Sequence, residues 1–196
     1  MTEVRSSHAL SAKFDEALQF ASDVHRNQAR KSTKIPYMTH LMSVSALVGE
    51  YGGDEDLMIA ALLHDVMEDQ GVTRQEIEKR FGKHVADIVE GCTDTTEQPK
   101  PAWRVRKERY VAHVESADSD TKLVSAADKL HNARSILMDL RTVGAGTWKR
   151  FNATPDEILW YYNSLIQAFR KGWKHAVVDE LERVIHQIED GYTNRI

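Results

Sequence analysis

The sequence predicts an all-α fold, and three observations carry that expectation. Apolar residues recur at i, i+3, i+4 and i+7 along nearly the whole chain, the period of a helix buried on one face. No segment alternates apolar and polar residues with period two over the length of a strand. The 196 residues include only four prolines and ten glycines, too few for the many turns of an all-β chain. A helical bundle of about eight to nine helices follows, in a single domain spanning 1–196.

Each element has its own signal. Phe14, Ala17, Leu18, Ala21 and Val24 outline the first helix, and a polar loop follows over 27–36. Leu41, Val44, Ser45 and Val48 mark the second, stopped by Gly52-Gly53. Asp54 is placed to cap the third, which runs through Leu57, Ala60, Ala61 and His64. Its unbroken apolar stretch over 57–63 predicts a central position. Thr73-Arg74-Gln75-Glu76 reads as a capping box, with Gly82 as the stop. Val85, Ile88, Val89 and Cys92 continue as a helix, 93–101 is the clearest loop, and 103–114 is helical. After a break at 116–120, Leu123, Ala126, Ala127, Leu130, Ala133 and Leu137 predict a strong helix. Residues 141–153, with Gly144 and Gly146, read as loop. Thr154-Pro155-Asp156-Glu157 is a second capping box with proline at the first helical position. It opens a helix through Leu159, Tyr162, Leu165, Ile166 and Phe169, and Val177, Leu181, Val184 and Ile188 mark the last.

Composition narrows the class. Hydrophobic residues make up 41% and charged residues 29%, the balance of a globular chain rather than a disordered one. The single cysteine, Cys92, allows no intramolecular disulfide and suits a reducing compartment. A net charge of −4 at pH 7 offers no overall attraction for nucleic acid or an anionic membrane. No apolar run approaches the ~20 residues that span a bilayer, and 1–11 lack the apolar stretch of a signal peptide. The expectation is a cytoplasmic protein that binds neither nucleic acid nor membrane. The nine histidines are the one count that composition does not account for.

Acids interrupting apolar helices are the chemical signal. The third helix ends in His64-Asp65-Val66-Met67-Glu68-Asp69. Burying a carboxylate is costly unless it is paired or bound to a metal. Glu68 and Asp69 read as acids at the C-terminal end of that helix, where the dipole opposes them, and so point to function. Asp128 lies among Ala126, Ala127 and Leu130, with Asn132 one turn later on the same face. His40 follows Pro36-Tyr37 near the start of its helix. Two imidazoles and two carboxylates suit a borderline or hard divalent ion such as Mn²⁺, Fe²⁺ or Zn²⁺, not a thiolate site. The adjacent acids Glu68 and Asp69 repel each other, which raises one of them toward the general-base range.

His40, His64-Asp65 and Asp128 match the H…HD…D signature of the HD-domain metal phosphohydrolases. Three longer segments resemble the hydrolase domain of the RelA/SpoT-homologue family. They are His25-Arg26-Asn27-Gln28 with Arg30-Lys31-Ser32 and Pro36-Tyr37-Met38-Thr39-His40; then His64 to Asp69; then Ala127-Asp128-Lys129-Leu130-His131-Asn132. The similarity covers about 8–140, with a weaker likeness beyond it through C-terminal helices over 154–190. The HDxxED string alone would arise by chance at roughly 0.004 per chain of this composition. The resemblance implies a stand-alone small alarmone hydrolase, similar to the metazoan SpoT-homologue type, without an attached synthetase or regulatory domain. It implies one Mn²⁺ bound by His40, His64, Asp65 and Asp128. Glu68 and Asp69 would orient and deprotonate the attacking water or protonate the leaving group. Arg30, Lys31 and Ser32 would hold the nucleobase. Asn132 and Ser135 would contact the ribose or its phosphate, Ser135 standing where the family usually has threonine. The implied partner is a small-molecule nucleotide, and the implied reaction removes the 3′-pyrophosphate from guanosine tetra- or pentaphosphate, (p)ppGpp. The alternatives are a related hydrolase of (p)ppApp or of the 2′-phosphate of NADPH, and a catalytically silent metal- or nucleotide-binding module. The intact Glu68-Asp69 pair argues against the last.

The remaining candidates have simpler readings. His25 and His131 read as packing or supporting groups beside the motifs, and His8, His84, His113, His175 and His186 as surface or structural. The basic stretch 103–109 reads as a solvated helix face. Arg141, Lys149 and Arg150 are weak phosphate candidates, and Trp160, Tyr161 and Tyr162 read as core.

Overall fold

Ten α-helices and one 3-10 helix form the described part, residues 9–193, of the computed structural model. The described residues hold no strand beyond an isolated bridge between Ala29 and Pro36. In chain order the helices are α1 (Ala12–Val24), α2 (Met38–Glu50), α3 (Glu55–Leu63), α4 (Val66–Gln70), α5 (Arg74–Phe81), α6 (Lys83–Cys92), α7 (Trp103–Ser116) and α8 (Ser119–Thr142). The 3-10 helix (Gly144–Arg150), α9 (Pro155–Arg170) and α10 (Ala176–Thr193) complete the chain. The all-α expectation therefore holds.

Side-chain caps set most of the starts. Asp54 accepts the Leu57 N–H at 3.0 Å and Asp118 the Thr121 N–H at 2.7 Å. Thr73 caps α5 through its hydroxyl. At Thr154 the full reciprocal box forms with Glu157, and Pro155 follows at the first helical position. Each such cap satisfies a donor that the helix itself cannot.

Two expectations need correction. Residues 64–69 do not finish the third helix: it stops at Leu63, and a separate short helix, α4, begins at Val66. The apolar period runs on through Val66 and Met67, so periodicity could not reveal the break. The stretch 141–153 is not all loop either. Helix α8 continues to Thr142, and the 3-10 helix follows with Gly144 at φ 69°.

One hydrophobic core runs from α1 to α10. Helix α3 is buried from Ile59 to Leu63 and lies against α1, α2, α6 and α8. Helix α8, about 36 Å long at 1.5 Å per residue, packs on α2, α3, α6, α10 and the 3-10 helix. Ala60, Ala61, Ala126, Ala127 and Ala133 are fully buried; their small side chains let these helices approach closely. Each fully buried leucine of this core contributes on the order of 1.5–3 kcal/mol of transfer free energy. The end of α3, the start of α2 and the middle of α8 thus meet in the interior. No helix among the described residues is long and apolar enough to cross a membrane.

Candidate active site

The break between α3 and α4 delivers the first two side chains. His64 keeps helical angles, φ −57° and ψ −26°, while Asp65 turns to φ −105° and ψ 0°. The chain bends there, and Val66 restarts a helix that closes at Gly71, φ 67°. His64 and Asp65 therefore project from a corner rather than along a continuous helix face. Glu68 and Asp69 fall in the first turn of α4. The expectation that they oppose a helix dipole is wrong, because an acid is favoured in a first turn.

Four donors converge at that corner. Nε2 of His64 stands 3.0 Å from Asp65 Oδ2 and 3.6 Å from Asp128 Oδ1. Nε2 of His40 stands 3.8 and 3.2 Å from the same two oxygens. Adjacent ligands ~2.2 Å from a shared ion lie ~3.1 Å apart in an octahedron and ~3.6 Å apart in a tetrahedron. The observed separations span that range. Both imidazoles are buried, and neither Nε2 has a hydrogen-bond partner. His64 Nδ1 donates to the Ala61 carbonyl at 2.8 Å, which leaves Nε2 as the ring nitrogen that faces the carboxylates. His40 Nδ1 meets His131 Nδ1 at 2.8 Å. Buried nitrogens without partners beside two carboxylates are the environment a divalent cation satisfies. His40, His64 and Asp65 form a compact group able to hold a metal ion, and Asp128 stands outside that group while keeping Oδ1 near both imidazoles.

Neighbouring charges reinforce this arrangement. Burial would push the Asp128 carboxyl up, but the Lys129 ammonium, 2.5 Å from Oδ2, and the two imidazoles hold it well below the usual carboxylate range. Asp65 is lowered in the same sense: burial opposes ionisation and His64 overrides it. Burial lowers His40. It would also lower His64, but Asp65 and Asp128 outweigh it and hold that imidazolium well above its ordinary value. Burial followed by the His40 charge pulls His131 down to about 4.

The second pair of acids lies at the rim. Glu68 Oε1 receives the Lys100 ammonium at 2.8 Å. Asp69 Oδ2 accepts from Gln28 Nε2 at 2.7 Å. Burial first, then the Asp65 charge, raises the Asp69 carboxyl above its ordinary value, the Gln28 hydrogen bond works against this, and Glu68 adds to it. Glu68 is thus a minor contributor, and burial rather than mutual repulsion is the main cause.

A cavity of about 860 Å³ opens beside this corner, within the size range of small-molecule sites. Arg30, Lys31, Asn132 and Ser135 line it; Ser32, at φ 60°, is exposed and is not among the lining residues, whereas Thr33 is. Arg30 Nη2 donates to Asn132 Oδ1 at 2.8 Å, and Lys31 Nζ to Asn152 Oδ1 at 3.2 Å. Asn132 in turn donates to Asp128 Oδ1 at 2.5 Å, so the α8 face 128, 131, 132, 135 links the corner to the cavity. Ser135 Oγ bonds back to the His131 carbonyl. His40, His64, Asp65, Asp128, Glu68 and Asp69 are not among the lining residues.

Several contributors were not singled out by sequence. Tyr37 donates its hydroxyl to Asp65 Oδ2, and its place in Pro36-Tyr37…His40 was the available signal. The solvated-face reading of 103–109 fails for Arg106 and Lys107. Both line the cavity and pair with Asp94, while Arg104 and Arg109 are exposed as expected. Tyr161 and Tyr162 are core residues that also reach the cavity. Arg150 lines it, paired with Asp139, whereas Arg141 bonds Gln187 and does not line it. His84 pairs with Asp120 on the surface, His113 meets the Gly91 carbonyl, His175 stacks on Trp173 and His186 is exposed. His8 lies outside the described residues.

Known proteins share this arrangement of sequence. The pattern of the HD domain family matches residues 17–155. A Xenopus tropicalis protein, guanosine-3′,5′-bis(diphosphate) 3′-pyrophosphohydrolase MESH1, is 40% identical over 124 residues, 62% of this chain and 68% of that one. The Drosophila melanogaster protein of the same name is 36% identical over 135 residues, 67% and 74% of the two chains. A solved structure described as a metazoan ortholog of SpoT that hydrolyzes ppGpp superposes with a TM-score of 0.76 at 29% identity, covering 91% of this chain and 97% of the other. Both buried histidines of the corner, and the acids at 65, 68, 69 and 128, fall inside the matched stretch, and the chain belongs to the HD domain family.

Proposed function

We propose that this chain is a metal-dependent hydrolase that removes the 3′-pyrophosphate of (p)ppGpp, with one Mn²⁺ held by His40, His64, Asp65 and Asp128. The observation that carries the reading is the pair of buried, unpartnered Nε2 atoms facing two carboxylates beside a cavity rich in cationic side chains. The names of the relatives support the substrate. A divalent ion at such a site supplies charge neutralisation for phosphate oxygens and a bound water whose pKa falls toward ~7.

The chain's own residues do the rest. The oxygen of water bonds to the phosphorus attached to O3′ of the ribose, and the bond from that phosphorus to O3′ breaks. One proton leaves the water and one must reach O3′, so a 5′-phosphorylated nucleoside and pyrophosphate result. Asp69, whose carboxyl is raised by burial, is the acid suited to take up that proton and pass it on. Glu68, beside Lys100, helps orient the water. Arg30 offers a planar face for a purine and Lys31 a point charge. Asn132 and Ser135 lie between the corner and the cavity and suit the ribose. A cytoplasmic setting is compatible with the single, buried Cys92 thiol.

The test is a substrate panel. Purified protein with Mn²⁺ is given guanosine and adenosine 3′-pyrophosphates and NADPH, and the products are separated by chromatography. Pyrophosphate released from the guanosine compound is the expected result. Preferential cleavage of the adenosine compound, or inorganic phosphate from NADPH alone, reassigns the substrate. Nucleotide binding without any cleavage makes the chain a silent module.

A further inference from the structure

Gln28 is not among the residues that line the cavity, and its hydrogen bonds run to three other side chains. Its Nε2 donates to Asp69 Oδ2 at 2.7 Å. Its Oε1 lies 2.7 Å from His25 Nδ1 and accepts from Gln70 Nε2, which itself stands 3.4 Å from His25 Nδ1. We propose that Gln28 is a positioning residue for Asp69, and that His25 sets which way the Gln28 amide faces. This rests on the reading of Asp69 as the proton-handling acid.

An amide can turn over and exchange its oxygen and nitrogen. Turned over, Gln28 would present its oxygen to a carboxylate and its NH₂ to two donors. Both ends oppose that state, so the donor stays on Asp69. The consequence at Asp69 is geometric: Oδ2 is held, and Oδ1 is left for the water or the leaving oxygen.

His25 is built for this task. It is 2% exposed and caps α1, its backbone N–H bonding the Ala21 carbonyl at 3.0 Å. Its ring stacks on Tyr37, centroids 5.3 Å apart at 22°, and Tyr37 bonds Asp65. With Nδ1–H given to Gln28, Nε2 carries no proton and needs no acceptor, which explains why that buried nitrogen has no partner. The backbone is held as firmly. Gln28 N–H bonds the His25 carbonyl and Tyr37 N–H the Gln28 carbonyl, both at 2.9 Å, and the Ala29–Pro36 bridge follows directly. The same turn thus serves both acid groups: Tyr37 reaches Asp65 and Gln28 reaches Asp69.

Steady-state kinetics on the Mn²⁺-loaded full chain tests the proposal. Gln28→Leu is expected to lower kcat by on the order of 10–100-fold, the range for outer hydrogen-bond partners, with KM and bound metal unchanged. His25→Phe, which keeps a ring on Tyr37, should lower kcat in the same sense. His25→Asn, whose Nδ2–H can replace Nδ1–H, should restore most of it. The double variant Gln28→Leu/His25→Phe should be no slower than Gln28→Leu alone, because the two act as one unit. Additive losses, or a change confined to KM, overturn the proposal. Asp69→Asn separates the two levels: full activity there removes the role of Asp69, whereas a dead Asp69→Asn beside a fully active Gln28→Leu removes only the positioning role. If Gln28→Leu fails to fold, long-range ¹H–¹⁵N spectra of the wild type decide. An Nδ1–H tautomer at His25 is expected, and an Nε2–H tautomer overturns the proposal.

Discussion

His64 gives its Nδ1 proton to the Ala61 carbonyl, and that one bond decides what its other nitrogen offers. Asp128 is oriented with equal care: Lys129 takes Oδ2 and Asn132 takes Oδ1. Asp128→Ala is therefore expected to abolish metal retention, measured by elemental analysis after dialysis. Unchanged occupancy would remove Asp128 from the ligand set. His131 supplies a pH test. Its folded pKa is about 4, against 6.5 when unfolded, so below pH 6.5 the unfolded chain binds a proton that the folded chain refuses. Stability from this group falls between pH 6.5 and about 4. His131→Gln should flatten that part of the metal-free protein's acid-unfolding curve, and an unaltered curve would contradict it. His40, His64-Asp65 and Asp128 were legible in sequence because acids on apolar helices are anomalous. Tyr37 and Gln28 lie in the quoted motif segments, but their roles were not legible, because their partners are 28 and 41 residues away and no local rule of spacing selects them.

Helix α4 is five residues long, too short to hold itself, yet it carries Glu68 and Asp69. Its end depends on Gly71 at φ 67°, with open space where a Cβ would go. Gly71→Ala should then cost stability only through backbone strain, by roughly 1 kcal/mol, read as a lower urea midpoint. A midpoint equal to wild type would show that the turn does not need the left-handed conformation. The capped helices were legible because Asp54, Thr73 and Thr154 announce their starts. The α3–α4 break was not: no glycine or proline marks it, and the apolar period continues across it.

At the level of the molecule, one core joins the C-terminal helices to those that build the site. Leu181 on α10 is fully buried and belongs to that core, so Leu181→Ala should cost about 2–5 kcal/mol. Denaturant unfolding checks this, and a loss below 1 kcal/mol would mean α10 is only loosely docked. The all-α class was plain from periodicity, since it is summed over the chain. The cavity was not, because its wall joins residues from 30 to 162, and Arg106 and Lys107, which line it, pair with Asp94 from the loop before α7. On the proposed reading, four side chains hold one ion that makes this chain a 3′-pyrophosphohydrolase. The most direct test is to add Mn²⁺ back to chelator-stripped protein in the presence of ppGpp. No turnover is expected without metal, then GDP and pyrophosphate in equal amounts, saturating at one ion per chain. Turnover in the stripped protein, or none with the metal restored, would contradict it.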